Sequence, residues 1–179
     1  MNYLIKAFFS IFNIVYLYVL GKSDKSSISF EMPKIGRGLC VSVHNKAIID
    51  LNNLVARNNL NLFVNRGYLS FEKGCFVNNN CSFNCLERIE VKENTIFGEG
   101  VKVYDHDHVI NNYFRVSKNE FITSPIIIGS NCWIGSNVVI LKGVNIVDNV
   151  IIGANSLVNK SISVSGIYVN KNGTLTKIR

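Results

Sequence analysis

The chain has 179 residues, enough for one domain with a full core and too short for two. Hydrophobic residues make up 47% and charged residues only 17%, which excludes a disordered chain. The net charge of +7 asks for an anionic partner, but the lysines are scattered rather than set in a basic stripe with exposed aromatics. Nucleic acid is therefore not expected, while an acidic membrane and a phosphorylated small molecule both remain.

The first element is an apolar run, "AFFSIFNIVYLYVL" (7–20), which follows a lone Lys6 and precedes the polar linker "GKSDKSS" (21–27). Fourteen residues are short for a membrane span of about 20, and "VLGKSDK" offers no small-x-small cleavage site. Two readings stand. The run is a helix packed on the domain or on a subunit, or it lies in a membrane interface with Lys22 and Lys25 near anionic headgroups. Residues 1–27 are thus set apart as helix and linker.

From residue 28 to about 165 the chain reads as one β domain. Only two prolines occur, Ile and Val are abundant, and Asn recurs between them. Branched aliphatics suit pleated strands, and Asn tolerates left-handed turns. The five cysteines (Cys40, Cys75, Cys81, Cys85 and Cys132) are odd in number and contain no CxxC pair. They are expected to be reduced and mostly buried, not disulfide-linked or zinc-bound.

The strongest order is a period of six. Ile128, Ile134, Ile140, Ile146, Ile152 and Val158 follow one another at that spacing, and Cys132, Val138, Val144, Val150, Ser156 and Ile162 each lie four later. Neither a helix nor an alternating strand repeats every six residues. A three-faced coil does, with one short strand and one turn per hexapeptide. One aliphatic side chain per hexapeptide then points inward and stacks on its equivalents in coils about 4.8 Å away. Val91, Phe97 and Val103 extend the register upstream, with Thr95 and Val101 at the smaller position. Before that it loosens, although Cys75 and Cys81 keep the spacing. The predicted fold is an all-β solenoid, a parallel β-helix of hexapeptide repeats.

Between Val103 and Ile128 the repeat is suspended. Residues 105–125, "DHDHVINNYFRVSKNEFITSP", read as an extended loop thrown out from one corner. It opens on "YDHDH" (104–108), which holds two of the three histidines, and a polar excursion from a regular scaffold is where function is expected.

Three motifs together resemble the left-handed β-helix acyltransferases of the galactoside, maltose and capsule or lipopolysaccharide O-acetyltransferase type. They are "FVNNNCSF" (76–83), the DHDH loop ending in "PIIIG", and "IGSNCWIGSNVVILKGVNIVDNVIIGANSLVNKSI". The resemblance implies a left-handed coil and a homotrimer of parallel prisms, with acetyl-CoA between subunits and a histidine that deprotonates a sugar or glycan hydroxyl. In the galactoside enzymes that histidine follows the last stacked aliphatic residue by five positions, which from Val103 falls on His108. His106 is the competitor, and Asp105 or Asp107 would orient the imidazole. By the same resemblance Asn78 contacts the acceptor, with Tyr113 and Arg115 on the loop as further acceptor contacts. Trp133, Ser136, Ala154, Asn159 and Lys160 line the coenzyme path. The family's proline-containing tail is missing from residues 166–179, where Lys171, Lys177 and Arg179 are left to meet a phosphate.

The resemblance also implies work in surface polysaccharide or glycolipid assembly, in the cytoplasm where acetyl-CoA is available, with residues 1–22 contacting the inner membrane face. Other readings stay open: N-acetylation of an amino sugar nucleotide, and a non-catalytic scaffold. A metal enzyme is not expected, because His44 is the only histidine left to complete a ligand set.

Overall fold

The computed structural model describes residues 3–20 and 26–179, with helix side chains described from Phe8 onward. Most of the linker, including Lys22 and Lys25, lies outside the described residues. Three parallel sheets form the faces of a prism. Face 1 stacks Ser27–Glu31, Ile48–Asn52, Tyr68–Phe71, Arg88–Val91, Ile126–Ile128 and Asn145–Ile146. Face 2 stacks Lys34–Ile35, Val55–Ala56, Phe76–Val77, Ile96–Phe97, Trp133–Ile134 and Val150–Ile152. Face 3 stacks Cys40–His44, Asn61–Asn65, Ser82–Cys85, Lys102–Tyr104, Val139–Ile140 and Leu157–Val158. The chain visits faces 1, 2 and 3 in turn, which is the expected parallel β-helix.

The register explains why the period is clear in one half and loose in the other. Trp133 pairs with Ile151, and Val139 with Leu157, so each of those coils is three hexapeptides long. Asn61 instead pairs with Ser82, and Tyr68 with Arg88, steps that exceed three hexapeptides. The wider early coils need larger fillings. Leu51, Leu54, Leu60, Leu62, Leu69, Phe71, Phe83 and Phe97 are all buried inside them. Phe83 meets Phe71 and Phe97 edge-on at 4.9 and 5.3 Å, one ring from each face, an arrangement that suits the ring quadrupoles.

Both six-residue series point inward. The aliphatic positions Ile128 to Val158 and the smaller positions Cys132 to Ile162 are all buried. Four of the five cysteines are buried with them and all five are free thiols; burial pushes Cys75 up to about 11. Thr95 is a polar member of this interior. Its hydroxyl donates to the Gly129 carbonyl at 2.7 Å and accepts from the Cys132 N–H at 3.1 Å.

The corners explain the asparagines. Asn59, Asn80, Asn94, Asn131, Asn137, Asn149 and Asn155 all adopt positive φ, where Asn is among the few side chains tolerated. Stacked corners also bond to each other, Asn59 to Asn80 at 2.9 Å and Asn137 to Asn155 at 3.2 Å.

Two elements close the ends of the stack. Helix α1 (Tyr3–Leu20) lies against the first coil, burying Leu17 and fixing Asn13 to the Ile35 and Gly36 carbonyls at 3.0 and 2.8 Å. At the other end Gly166–Lys171 extends face 2 in parallel and Thr174–Lys177 folds back antiparallel on it. The last residues therefore form a hairpin that continues the sheet.

Candidate functional site

Val91 pairs with Ile128, a step about twice the length of the coil that follows. The surplus chain leaves the prism at the corner between faces 3 and 1. It forms a two-stranded antiparallel ribbon, His106–Ile110 against Val116–Thr123, not an irregular loop. Its base is closed by the Ser124 N–H donating to the Asp105 carbonyl at 2.9 Å. Asn111 builds the turn at the tip, its side-chain oxygen accepting from the Tyr113 and Arg115 N–H groups at 2.9 and 3.1 Å.

Asp105 anchors the ribbon and is fully buried. Its carboxylate accepts three backbone N–H groups from the corner of the preceding coil: Leu86 at 2.9 and 3.0 Å, Glu87 at 2.7 Å and Arg88 at 2.9 Å. It also lies 2.9 Å from His106 Nδ1. Burial by itself raises the pKa of an acid, but the hydrogen bonds from His106, Leu86 and Glu87 outweigh it and hold Asp105 below the usual carboxylate range. A carboxylate so held only accepts, so Nδ1 of His106 is the donor, and in the neutral ring the lone pair lies on Nε2.

His108 stands two positions on, on the same side of the ribbon. Its Nδ1 lies 2.9 Å from the Ser117 carbonyl, which also can only accept, so this imidazole has the same tautomer with a basic Nε2. Phe121 packs against both rings, edge-on to His106 at 5.3 Å and tilted to His108 at 4.7 Å. The two histidines differ in access: the His106 side chain is only 13% exposed, whereas His108 is open to solvent. Asp107 alternates to the opposite side and pairs with Lys142 at 2.9 Å. The acids therefore do not share the expected task of orienting His108: one holds His106, the other Lys142, and a main-chain carbonyl holds His108.

The other expected site residues are spread over the prism. Asn78, Ser136 and Ala154 share the corner between faces 2 and 3, because Val77, Ile134 and Ile152 stack there. Asn78 accepts from the Asn79 N–H at 2.9 Å and Ser136 Oγ from the Glu99 N–H at 3.3 Å. Trp133 projects from face 2 and is 54% exposed. Asn159 and Lys160 are exposed on the corner that emits the ribbon, and Lys177 lies on the C-terminal hairpin opposite Tyr168. Tyr113 and Arg115 sit at the ribbon tip, about 20 Å of extended strand from His106. Within one chain the histidines thus meet neither the tip residues nor Asn78.

Phe121, Ser117 and the Leu86–Arg88 backbone join the site without having been expected there. Phe121 had a signal: the HDH spacing of two fits a strand, and "KNEFIT" could pair with it. The backbone nest had none, because its donors carry no side-chain signature. Among the described residues no group of three His, Cys, Asp or Glu is placed to hold a metal ion.

Residues 125–160 match the family model described as bacterial transferase hexapeptide (six repeats). Over 74 residues the chain is 39% identical to galactoside O-acetyltransferase of Escherichia coli, a match that covers 41% of this chain and 36% of that one. It spans about half the length, or less, of the curated relatives it matches. Two solved structures share the fold. A galactoside acetyltransferase in complex with coenzyme A superposes with a TM-score of 0.53 at 21% identity, over 95% of this chain and 79% of that one. A mutant of AntD, an N-acyltransferase from Bacillus cereus in complex with dTDP and coenzyme A, gives 0.58 at 19% identity, over 90% and 87%. Residues 125–160 are thus hexapeptide repeats of the bacterial-transferase type, and the prism that contains them has the fold of these two solved structures.

Proposed function

We propose that the chain transfers an acetyl group from acetyl-CoA to a sugar hydroxyl, with His108 as general base. The observation that carries this is the exposed imidazole at the ribbon base, tied through Nδ1 to the Ser117 carbonyl so that Nε2 is left to take a proton. The hydroxyl oxygen, losing its proton to Nε2, attacks the thioester carbonyl. As the tetrahedral adduct collapses, the C–S bond breaks and the imidazolium returns the proton to sulfur, leaving an ester and a free thiol. His106 with Asp105 packs behind the same phenylalanine and fixes the ribbon on which His108 stands.

A homotrimer fits this reading. The expected coenzyme contacts fall on two corners of one prism, Ser136 and Ala154 on one, Asn159 and Lys160 on the next. One six-residue side, about 20 Å at most, separates them. A neighbouring prism brings one set against the other. Face 2 offers a surface for it, with Val55, Phe76, Ile96, Trp133 and Ile151 stacked outward in an apolar column. Surface polysaccharide or glycolipid assembly in the cytoplasm is the setting in which such a donor and acceptor meet.

Thiol release from acetyl-CoA with a panel of sugars tests the proposal. His108→Ala should lose about 10²–10⁴-fold in turnover, while His106→Ala loses less. Full activity in His108→Ala would remove the assignment. An amide product from an amino sugar, in place of an ester, would turn the reading to N-acetylation.

A further inference from the structure

Helix α1 turns polar side chains inward together with Leu17, and an apolar face outward. Inward, Ser10 donates to the Pro33 carbonyl at 3.2 Å, Asn13 to the Ile35 and Gly36 carbonyls, and Tyr16 to the Val41 carbonyl at 3.4 Å. Those contacts fall on the first coil of the described residues. Outward, Phe8, Ile11, Phe12, Val15 and Val19 are each 56–64% exposed. Their spacing follows one face of a helix about 27 Å long, and no charged residue occurs from Phe8 to Leu20. The helix is not long and apolar enough to cross a membrane.

The charge is uneven along the chain. Residues 1–66 hold eight Lys and Arg against three Asp and Glu, five of the seven net positive charges, while residues 67–179 hold eleven against nine. Three of those cations, Lys34, Arg37 and Arg57, line an open groove of about 750 Å³ beside Phe9, Ile11 and Phe76. Lys46 and Arg66 stand exposed on the corners of the first coils.

We infer that this end of the prism docks on an anionic lipid bilayer, with α1 lying in the interface and its outer face among the acyl chains. Apolar side chains flanked by cations match such a surface in both of its layers. A two-fold contact with a second copy would set the cationic rim against itself. In the proposed trimer of parallel prisms three helices face one plane, which multiplies a weak contact. Docking of a single chain needs neither the trimer nor the acetyl transfer.

Flotation of the full chain with vesicles tests it, using phosphatidylcholine alone and phosphatidylcholine with about 30% phosphatidylglycerol. The wild type should float with the anionic vesicles at about 0.1 M NaCl and release as added salt shortens the screening length. Phe12→Asp with Val15→Asp should cut the bound fraction about tenfold or more, with thermal midpoint and light-scattering mass unchanged. Arg37→Glu with Arg57→Glu should abolish the preference for anionic vesicles. Absence of wild-type flotation, or flotation of the aspartate variant equal to wild type, would overturn the inference. So would an oligomeric mass that falls in the aspartate variant, since the occupant would then be another copy. Acetyl transfer by a chain that does not float would sink this inference and leave the catalytic proposal standing.

Discussion

Replacing Asp105 tests how the ribbon is held. The wild-type carboxylate, itself at zero exposure, accepts three main-chain N–H groups at 2.7–3.0 Å and lies 2.9 Å from His106 Nδ1. In Asp105→Ala the three donors lose their acceptor, and each unmet buried donor costs about 1–3 kcal/mol. Some water will enter the vacated corner, so the expected loss is about 3–5 kcal/mol, or roughly 10–15 °C in a chain of this size. Asp105→Asn keeps one oxygen but turns an NH₂ toward the Leu86 N–H or His106, and should lose about half as much. The sign with pH follows from the depressed pKa. The carboxylate stabilises fully above its unfolded value of about 3.9, and that stability is lost as pH falls through the folded value. The gap between wild type and Asp105→Asn in urea melts should therefore be full at pH 7 and close progressively below about pH 4. An unchanged melt for Asp105→Ala, or a gap independent of pH, would refute the buried-acceptor argument.

Thr95→Val keeps the shape of the interior column but leaves the Cys132 N–H and Gly129 carbonyl unmet; urea melts should show a loss of about 1–3 kcal/mol. At Gly135 an added Cβ would lie 2.6 Å from the Ala154 nitrogen and the Ile152 oxygen, so Gly135→Ala forces coils apart and should cost about 1–3 kcal/mol. Gly153→Ala meets the Val169 Cγ1 methyl at 3.0 Å and main chain only at 3.5 Å, and should stay within about 1 kcal/mol in the same melts. Of the five free thiols only Cys40 is exposed, so an aromatic disulfide reagent should label one thiol quickly and the rest only on unfolding.

The fold is legible because it repeats. A side chain buried once per hexapeptide leaves a period in the sequence, and three hexapeptides per coil from Ile128 to Val158 keep it clean. Upstream, longer coils filled by Phe and Leu blur that period, although the same three faces continue. The ribbon can be located because it interrupts the repeat. Its antiparallel pairing is harder to see, since an exposed two-stranded ribbon carries little hydrophobic alternation. For helix α1 the sequence admits both a packing and a membrane reading. Its side chains divide the two, with Ser10, Asn13, Tyr16 and Leu17 on the prism and the apolar outer face turned away.

The sequence by itself determined the period, the excursion and the pair of histidines within it, because spacing along the chain is all that those features require. Only the tertiary structure decided what each member of YDHDH does. Asp105 is buried against main-chain donors from the preceding coil, His106 is held by that carboxylate, Asp107 turns to Lys142 and His108 is held by a carbonyl on the returning strand. Apart from the adjacent Asp105–His106 pair, those partners lie on other coils or across the ribbon. The main-chain partners of Asp105 and His108 leave no mark in the sequence, because backbone N–H and C=O groups are the same in every residue.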